Sequence, residues 1–260
     1  MGRSCDALAE AAFQAMGGDK LAGLKALSLD ATLQQWDPGE SESVSDPLKP
    51  DWGKATLHVT RDLEHGLVHN VWARPKASPG LRMYSETITP DAGYVTGIDE
   101  KGGVTKRAMV VNGQSEHTMS SVRLATLLRE QERTAVIMEM HRHPDRISGY
   151  PTQTVGGKTY PAAQYRGDYG TFIVMFDPAT HLPAVVRTRD FDQYYGDSNY
   201  EEALSDWQDT GGIKLPHRAF YTLNAIRIFD VAVNGYPVNP SLPADVPPTL
   251  TRSPFPNPSA

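Results

Sequence analysis

The chain has 260 residues, of which 39% are hydrophobic, 22 are glycine and 20 are proline, so it can bury a core and must make many turns. Its formal charge of −6 opposes the phosphate attraction that drives nucleic-acid binding, which argues against DNA or RNA as a partner. No window approaches the roughly 18 consecutive apolar residues that a membrane-spanning helix needs. We therefore expect one β-rich domain over residues 1–235 and a proline-rich tail over residues 236–260.

The first half of the chain predicts a short helix followed by antiparallel strands. Apolar residues at helical spacing predict an amphipathic helix over Ala7–Met16, which ends at Gly17-Gly18. From Leu27 the period changes to two, as in a half-buried strand, and Asp37–Trp52 then reads as a long loop. Further strands are predicted at Ala55–Arg61, Leu67–Arg74, Met83–Thr89, Tyr94–Asp99 and Val104–Val111, the last two joined by a turn at 100–103.

The middle of the chain predicts a helix, and the second half returns to strands. Apolar residues recur at helical intervals over Ser120–Met140 without Gly or Pro, which predicts one long helix, straight or kinked, across the sheet. Strands are then predicted at Thr152–Val155, Tyr160–Arg166, Thr171–Asp177, Ala184–Asp190, Tyr200–Trp207 and Arg218–Val233. The proline-rich stretch Asn234–Ala260 is expected to wrap the surface or to be disordered.

Three segments carry a resemblance to a known family. Leu204–Arg218 is a strand, a Gly-Gly turn and a second strand, and it resembles the closing hairpin of a curved-sheet domain that precedes the catalytic domain in many metallo-β-lactamase-fold hydrolases. That domain is in turn similar to bacterial lipoprotein carriers of the LolA type. The helix ending in Met16-Gly17-Gly18 and the strand-turn-strand unit Phe176–Arg187 match the same plan.

The resemblance implies a mainly β (α+β) fold. It would be a strongly curved antiparallel half-barrel, LolA-like, with an N-terminal helix and one long helix that closes the concave face and leaves an apolar cavity. Hydrolase activity does not carry over, because the chain has no HxHxDH metal motif.

Cellular location and assembly follow from other features. Carriers of the LolA type are exported, whereas Met1–Glu10 lacks a basic stretch followed by an apolar run. Cys5 is the only cysteine, so an internal disulfide is excluded and a reducing compartment fits. We expect a cytoplasmic protein, and the exposed edge strand of a half-barrel favours a homodimer.

The strand Met83–Thr89 contains the first candidate catalytic group. Strict alternation puts Tyr84, Glu86 and Ile88 on one face. If that face is concave, burial raises the pKa of Glu86 toward the range of a general base, and Tyr84 could orient or protonate the substrate. The alternative is that Tyr84 and Glu86 face water while Met83 faces the core.

The second candidate is His141-Arg142-His143. Two histidines separated by one residue can bind one metal ion from a strand, but on a helix they point to different sides. The segment lies before Pro144, at the expected end of the long helix, where cationic groups favour the helix dipole. Helix capping, acid-base catalysis by His141 and metal binding all remain open. No third ligand at familiar spacing supports the metal, so no metal or cofactor is predicted.

The loop Phe191–Tyr200 holds three tyrosines and follows a strand that ends in charged residues. Its composition is suited to binding an aromatic or phenolic ligand, although a solvated connection between strands has the same composition. The residues proposed for this region are Asp190 as a catalytic group and Arg187, Tyr194, Tyr195 and Tyr200 as substrate contacts. His69 and His217 are added as substrate contacts, with satisfied core histidines as the alternative.

Three functions remain open from the sequence, of which the third, a structural or dimerising domain that uses the edge of the curved sheet, has no separate sequence evidence. The first is a cofactor-independent lyase or isomerase that acts by general acid-base catalysis on a small hydrophobic, aromatic substrate, as in dehydration or deformylation. The second is a lipophilic-ligand carrier or the accessory binding domain of a hydrolase. Two or more buried ionisable groups within hydrogen-bond reach on the concave face would favour the enzyme, whereas an aliphatic face would exclude it.

Overall fold

A computed structural model describes residues 5–36, 50, 53–75, 81–97, 116–192, 195–237 and 240. The helices in this part of the chain are α1 Cys5–Met16, α2 Asp19–Ala22, α3 Ser121–Thr134 and α4 Val136–Arg142, followed by a 3-10 turn at Pro144–Arg146. The strands are β1 Ala26–Gln35, β2 Ala55–Asp62, β3 Leu67–Pro75, β4 Leu81–Ile88, β5 Gly93–Gly97, β6 Glu116–Thr118, β7 Ile147–Val155, β8 Lys158–Arg166, β9 Thr171–Phe176, β10 Pro183–Asp192, β11 Gly196–Thr210, β12 Ile213–Leu223 and β13 Ile226–Gly235.

All of these strands belong to one antiparallel sheet in the order β6-β5-β4-β3-β2-β1-β13-β12-β11-β10-β9-β8-β7. The first and last strands meet in the middle of the sheet, and each half of the chain extends outward from there as a meander. The segment between β6 and β7 must therefore cross from one edge of the sheet to the other. It does so as α3 and α4, and this topology confirms the mainly β prediction.

The crossing segment is two helices rather than one. α3 ends at Thr134 and α4 begins at Val136, with Ala135 at φ −93° and ψ 3° between them. The prediction allowed for a kink, but the apolar spacing alone could not locate it. Ser120 caps the N-terminus of α3, because its side-chain oxygen accepts a hydrogen bond from the backbone N–H of Arg123 at 3.2 Å.

The predicted strand Arg218–Val233 is wrong, because it is a hairpin of β12 and β13. The chain reverses at Asn224 and Ala225, both with positive φ (49° and 66°), and no Gly or Pro signals the turn. The predicted turn at Gly211-Gly212 between β11 and β12 is confirmed. The predicted loop Phe191–Tyr200 is also largely a hairpin, since β10 continues to Asp192 and β11 starts at Gly196.

Several other predictions fall wholly or largely outside the described residues. They are the strand Val104–Val111, the hairpin turn at 100–103, the long loop Asp37–Trp52 and most of the proline-rich tail. Of the tail prediction, Asn234 and Gly235 lie in β13 instead.

Three hydrophobic clusters on the concave side show how the helices cover the sheet. The largest joins α1 and α4 to β8, β9, β10 and β12, with Phe13 and Met140 fully buried within it. A smaller one joins Leu128 of α3 to β2, β3 and β4. The third, around Ala31, Ala219 and Val231 at the centre of the sheet, contains no buried helical residue. The helices therefore pack on the flanks and leave space over the middle strands.

Candidate functional site

A cavity of about 400 Å³ lies between the central strands and the α3–α4 segment. Apolar side chains form most of its wall, and they include Leu27, Leu29, Leu33, Leu57, Phe229 and Val231. These residues alternate along β1, β2 and β13, so the wall follows from the two-residue period of each strand.

A polar cluster interrupts this wall where β11, β12 and α3 meet. The hydroxyl group of Tyr221 lies 2.7 Å from Oε1 of Glu202 and 3.0 Å from Oε1 of Glu130. Tyr221 and Glu202 are register partners on adjacent strands, and Glu130 comes from the helix above them. Three groups that can exchange protons are therefore in hydrogen-bond contact inside the cavity.

Arg133 completes the polar cluster. Its guanidinium group forms an ion pair with Glu130 one turn earlier on α3, and its Cζ lies 4.4 Å from the centre of the Tyr200 ring. Only 3% of Arg133 is exposed. The Arg133–Glu130 pair neutralises both charges, and the ring face of Tyr200 adds a cation-π contact.

Burial shifts the proton affinity of this cluster upward. The pKa of Glu202 is raised to about 7, mainly by desolvation and secondly by the nearby charge of Glu130. Burial also raises the pKa values of the Tyr200 and Tyr221 phenols. Near neutral pH Glu202 is therefore protonated in part of the molecules, and Tyr221 can donate a hydrogen bond to it when it is ionised.

Glu86 is buried on the concave side, which alternation in the sequence had left open. Tyr84, Glu86 and Ile88 are each at most 6% exposed, whereas Met83 is 64% exposed. The alternative that turned Tyr84 and Glu86 toward water is wrong.

The carboxylate of Glu86 is fully partnered. It forms an ion pair with Arg123 of α3 at 2.6 Å and accepts hydrogen bonds from Trp72 Nε1 at 2.9 Å and Asn70 Nδ2 at 3.0 Å. Trp72 and Asn70 line the cavity, so Glu86 lies behind its wall. Tyr84 lies beside it, with its hydroxyl 3.4 Å from Arg74.

Asp190 also contacts α3 rather than the cavity. Its carboxylate forms an ion pair with Arg129, which in turn donates a hydrogen bond from Nε to the backbone oxygen of Tyr169 at 3.1 Å. Two of the predicted catalytic carboxylates, Glu86 and Asp190, therefore hold arginines from the same helix. Their contacts fix α3 over the sheet.

Most of the other predicted contacts lie away from the cavity. Arg187 is on the convex face, where its guanidinium pairs with Glu201 at 2.6 Å. His69 is on that face too, 3.1 Å from the Thr87 hydroxyl, and burial lowers its pKa. Tyr195 lies in the β10–β11 turn, and its backbone N–H donates to Asp192. Tyr194 is outside the described residues.

The two remaining histidines have structural contacts. His141 lies in the last turn of α4, stacks on the Phe13 ring at 3.7 Å between ring centres and lies 3.3 Å from Glu10. α4 ends at Arg142, which confirms the helix end predicted before Pro144. His217 packs edge-on against Tyr236, which lines the cavity, and its Nδ1 lies 3.2 Å from the backbone oxygen of Val233. Of the predicted residues that the structure describes, only Tyr200 lines the cavity.

Sequence reasoning missed Glu130, Arg133, Glu202 and Tyr221. One signal for Glu202 was present, because Tyr200, Glu202 and Leu204 repeat the pattern of a carboxylate between a phenol and an aliphatic group that singled out Glu86. The contacts of Tyr221 and Glu130 had no comparable signal, since they depend on strand register and helix placement.

A second polar network lies on the convex face. Asp30 Oδ1 is 2.8 Å from His58 Nδ1, His58 Nε2 is 3.2 Å from Thr60 Oγ1, and Thr60 Oγ1 is 3.1 Å from Ser28 Oγ. The order acid, imidazole, hydroxyl is that of a hydrolase triad. However, both hydroxyl residues are only 3% exposed and lie within the β1–β2 ladder, so a substrate could not reach either oxygen. The network stabilises the pairing of these strands.

The described part of the chain contains neither a cluster of metal ligands nor a helix that could span a membrane. No group of three or more His, Cys, Asp or Glu side chains there is placed to hold a metal ion. None of the helices in the described ranges has the length and apolar character to cross a membrane.

Comparisons with known proteins identify the fold. No family model and no curated protein matches the sequence. A LolA superfamily protein from Nitrosomonas europaea is similar in structure, with a TM-score of 0.50 and 8% identity over 93% of this chain and 96% of that one. A DUF1329 family protein from Desulfovibrio piger has a TM-score of 0.53 and 9% identity, over 93% and 96% of the two chains. The fold is a LolA-like half-barrel, whereas the link to hydrolase accessory domains stays a prediction.

Proposed function

We propose, with the LolA-like half-barrel as the premise, that this protein binds a lipophilic small molecule in its cavity, as a carrier or as the binding domain of a larger system. The observation that supports this proposal most directly is the cavity of about 400 Å³ with its largely aliphatic and aromatic wall. Ligand pockets of proteins are typically apolar and of about 300–1,000 Å³, with a few polar groups that orient the ligand.

The energetics favour an apolar occupant. Each Å² of apolar surface that leaves water contributes about 25 cal/mol, so a ligand that covers the leucines of β1 and β2 gains affinity without any specific contact. The polar cluster around Glu202 covers a small part of the cavity wall and would orient the ligand.

The test is binding of N-phenyl-1-naphthylamine, a neutral lipophilic fluorophore, combined with native mass spectrometry of the purified protein to detect a retained ligand. Ala219 lies in the cavity wall, so Ala219→Trp should fill the space and reduce fluorophore binding at least tenfold. Ala232 alternates with the lining residues Val231 and Val233 and faces the convex side, so Ala232→Trp is the matched control. Equal binding by both variants would disprove a ligand site in the cavity.

A second candidate function is a cofactor-independent lyase or isomerase acting on an aromatic substrate. It rests on the contact of Tyr221 with Glu202 and Glu130, since a carboxyl group with a pKa of about 7 is suited to general acid-base catalysis. Turnover of aromatic compounds, detected by mass change, should be lost in Glu202→Gln and Tyr221→Phe if this candidate is right. Glu86→Gln and His141→Ala test the site predicted from the sequence in the same assay.

A cytoplasmic location and a homodimer are predictions from the sequence, and size-exclusion chromatography with light scattering checks the dimer.

A further inference from the structure

Arg61 is the one cavity-lining arginine that forms no side-chain hydrogen bond or ion pair within the described part of the chain. It lies near the end of β2, on the same face as the lining residues Leu57 and Val59. Its Nε atom is buried without a hydrogen-bond partner. A buried polar group without a partner is rare in proteins and requires an explanation.

The surroundings of Arg61 are apolar. Its register partner on β1 is Leu27, and Leu63 lines the cavity two residues further along the chain. Tyr236 is near enough for the charge of Arg61 to act on its phenol, but the Tyr236 hydroxyl already donates a hydrogen bond to the backbone oxygen of Pro216 at 2.6 Å. The guanidinium therefore has no obvious acceptor in the wall.

The acids of the polar cluster do not balance this charge. Glu130 is paired with Arg133. Glu202 is near enough to interact with Arg61, which lowers the pKa of that carboxyl, but burial and Glu130 outweigh the effect and raise it to about 7. Glu202 is protonated in a large fraction of molecules at and below neutral pH, and in those molecules the cavity carries an excess of one positive charge at Arg61.

We infer that Arg61 binds the carboxylate head group of an amphipathic ligand whose apolar body lies in the cavity. The inference rests on the proposed lipophilic-ligand function and adds the chemical class of the ligand. A guanidinium binds a carboxylate through two parallel hydrogen bonds, and this pairing is strong where water is displaced.

The charge of the site favours a carboxylate over a phosphate. One unpaired guanidinium balances one negative charge, whereas a phosphate monoester carries up to two near neutral pH. Glu130 and ionised Glu202 would repel the second charge. The expected ligand is therefore a lipophilic monocarboxylate.

The experiment measures displacement of N-phenyl-1-naphthylamine by three compounds with the same ten-carbon chain: decanoate, decan-1-ol and decyl phosphate. Wild-type protein should bind decanoate about 10-fold to 100-fold more tightly than decanol, as expected for hydrogen bonds to a charged group. Arg61→Met should bind decanoate no better than decanol, and Arg61→Lys should keep part of the preference. Arg189→Met, an exposed arginine on the convex face, is the matched control and should behave as wild type.

The outcomes separate the two proposals. If neither the fluorophore nor any of the three compounds binds wild type, the proposed function fails. If the compounds bind but decanol equals decanoate, or decyl phosphate binds most tightly, the carboxylate assignment is overturned while the lipophilic site stands. An unchanged preference in Arg61→Met overturns the role of Arg61. Because the ligand series is measured on wild type, the inference stays testable even if Arg61→Met does not fold.

Discussion

The hydroxyl group of Tyr221 lies 2.7 Å from the carboxyl group of Glu202, its register partner on the neighbouring strand, inside an otherwise largely apolar cavity. Cross-strand partners on one face are among the closest side-chain pairs in a sheet. Here the partnership puts a phenol and a carboxyl group together where water is scarce, and Glu130 of α3 adds a second carboxyl group at 3.0 Å.

Glu202 should make folding stability depend on pH. Its pKa rises from 4.5 in the unfolded chain to about 7 in the fold, so the folded state holds a proton that the unfolded state releases between these values. The resulting stabilisation is fully present below about pH 4.5 and is lost as the pH rises through 7. Relative to Glu202→Gln, wild type should lose roughly 3 kcal/mol of unfolding free energy over this window. Urea unfolding of both proteins between pH 4.5 and 8 measures this loss. Unfolding free energies that change with pH in the same way for wild type and Glu202→Gln would contradict the prediction.

Removal of the Tyr221 hydroxyl should destabilise the fold by about 1–3 kcal/mol, because it takes a donor from a buried carboxylate. The measurement is urea unfolding of Tyr221→Phe at pH 8. Tyr160→Phe is the control, since the Tyr160 hydroxyl has no hydrogen bond within the described residues, and its cost should be near zero. In the double variant Tyr221→Phe/Glu202→Gln the costs should be less than additive, and strict additivity would show that the contact contributes nothing.

The ion pair between Glu86 and Arg123 should hold α3 against the sheet. The Glu86 side chain is 5% exposed, so Arg123→Met leaves a buried carboxylate without its counterion and should cost about 3 kcal/mol. Amide hydrogen exchange of α3 should accelerate in the same variant. Arg142→Met breaks a more exposed ion pair, with Glu139 of α4, and should cost at most about 1 kcal/mol. If Arg123→Met and Arg142→Met lose the same unfolding free energy, the ion pair of Glu86 does not anchor α3.

Gly17 should be intolerant of a side chain, because a Cβ at this position would lie 2.7 Å from the backbone oxygen of Gly212. At a positive φ such as the 132° of Gly17, Ala costs about 1–2 kcal/mol. The close contact should add about 1–3 kcal/mol in Gly17→Ala. Gly156→Ala is the control, since Gly156 also has a positive φ of 57° but no atom within 4 Å of a Cβ. Thermal or urea unfolding that ranks the two variants equally would refute the contact.

Gly17 and Gly212 also show what can be predicted from neighbouring residues in the sequence and what cannot. The Gly17-Gly18 helix stop and the Gly211-Gly212 turn were both predicted, each from its neighbours in sequence. Their contact across 195 positions of the chain was not, because it depends on how α1 packs against the end of β12. The turn at Asn224-Ala225 was missed although Asn is a common turn residue, because Ala225 also adopts a positive φ, which alanine rarely does.

Alternation in the sequence determined which side chains of each strand share a face, because successive residues of a strand point to opposite sides of the sheet. It therefore predicted that Glu86 is on the same side as Tyr84, and the same pattern holds for Glu202 and Tyr200. Only the tertiary structure decided what these two carboxyl groups became. α3 brings Arg123 to Glu86, and it brings Glu130 toward Glu202. Glu86 gained a counterion and anchors α3, whereas burial and the charge of Glu130 made Glu202 a protonatable group of the cavity, although the two local patterns are alike.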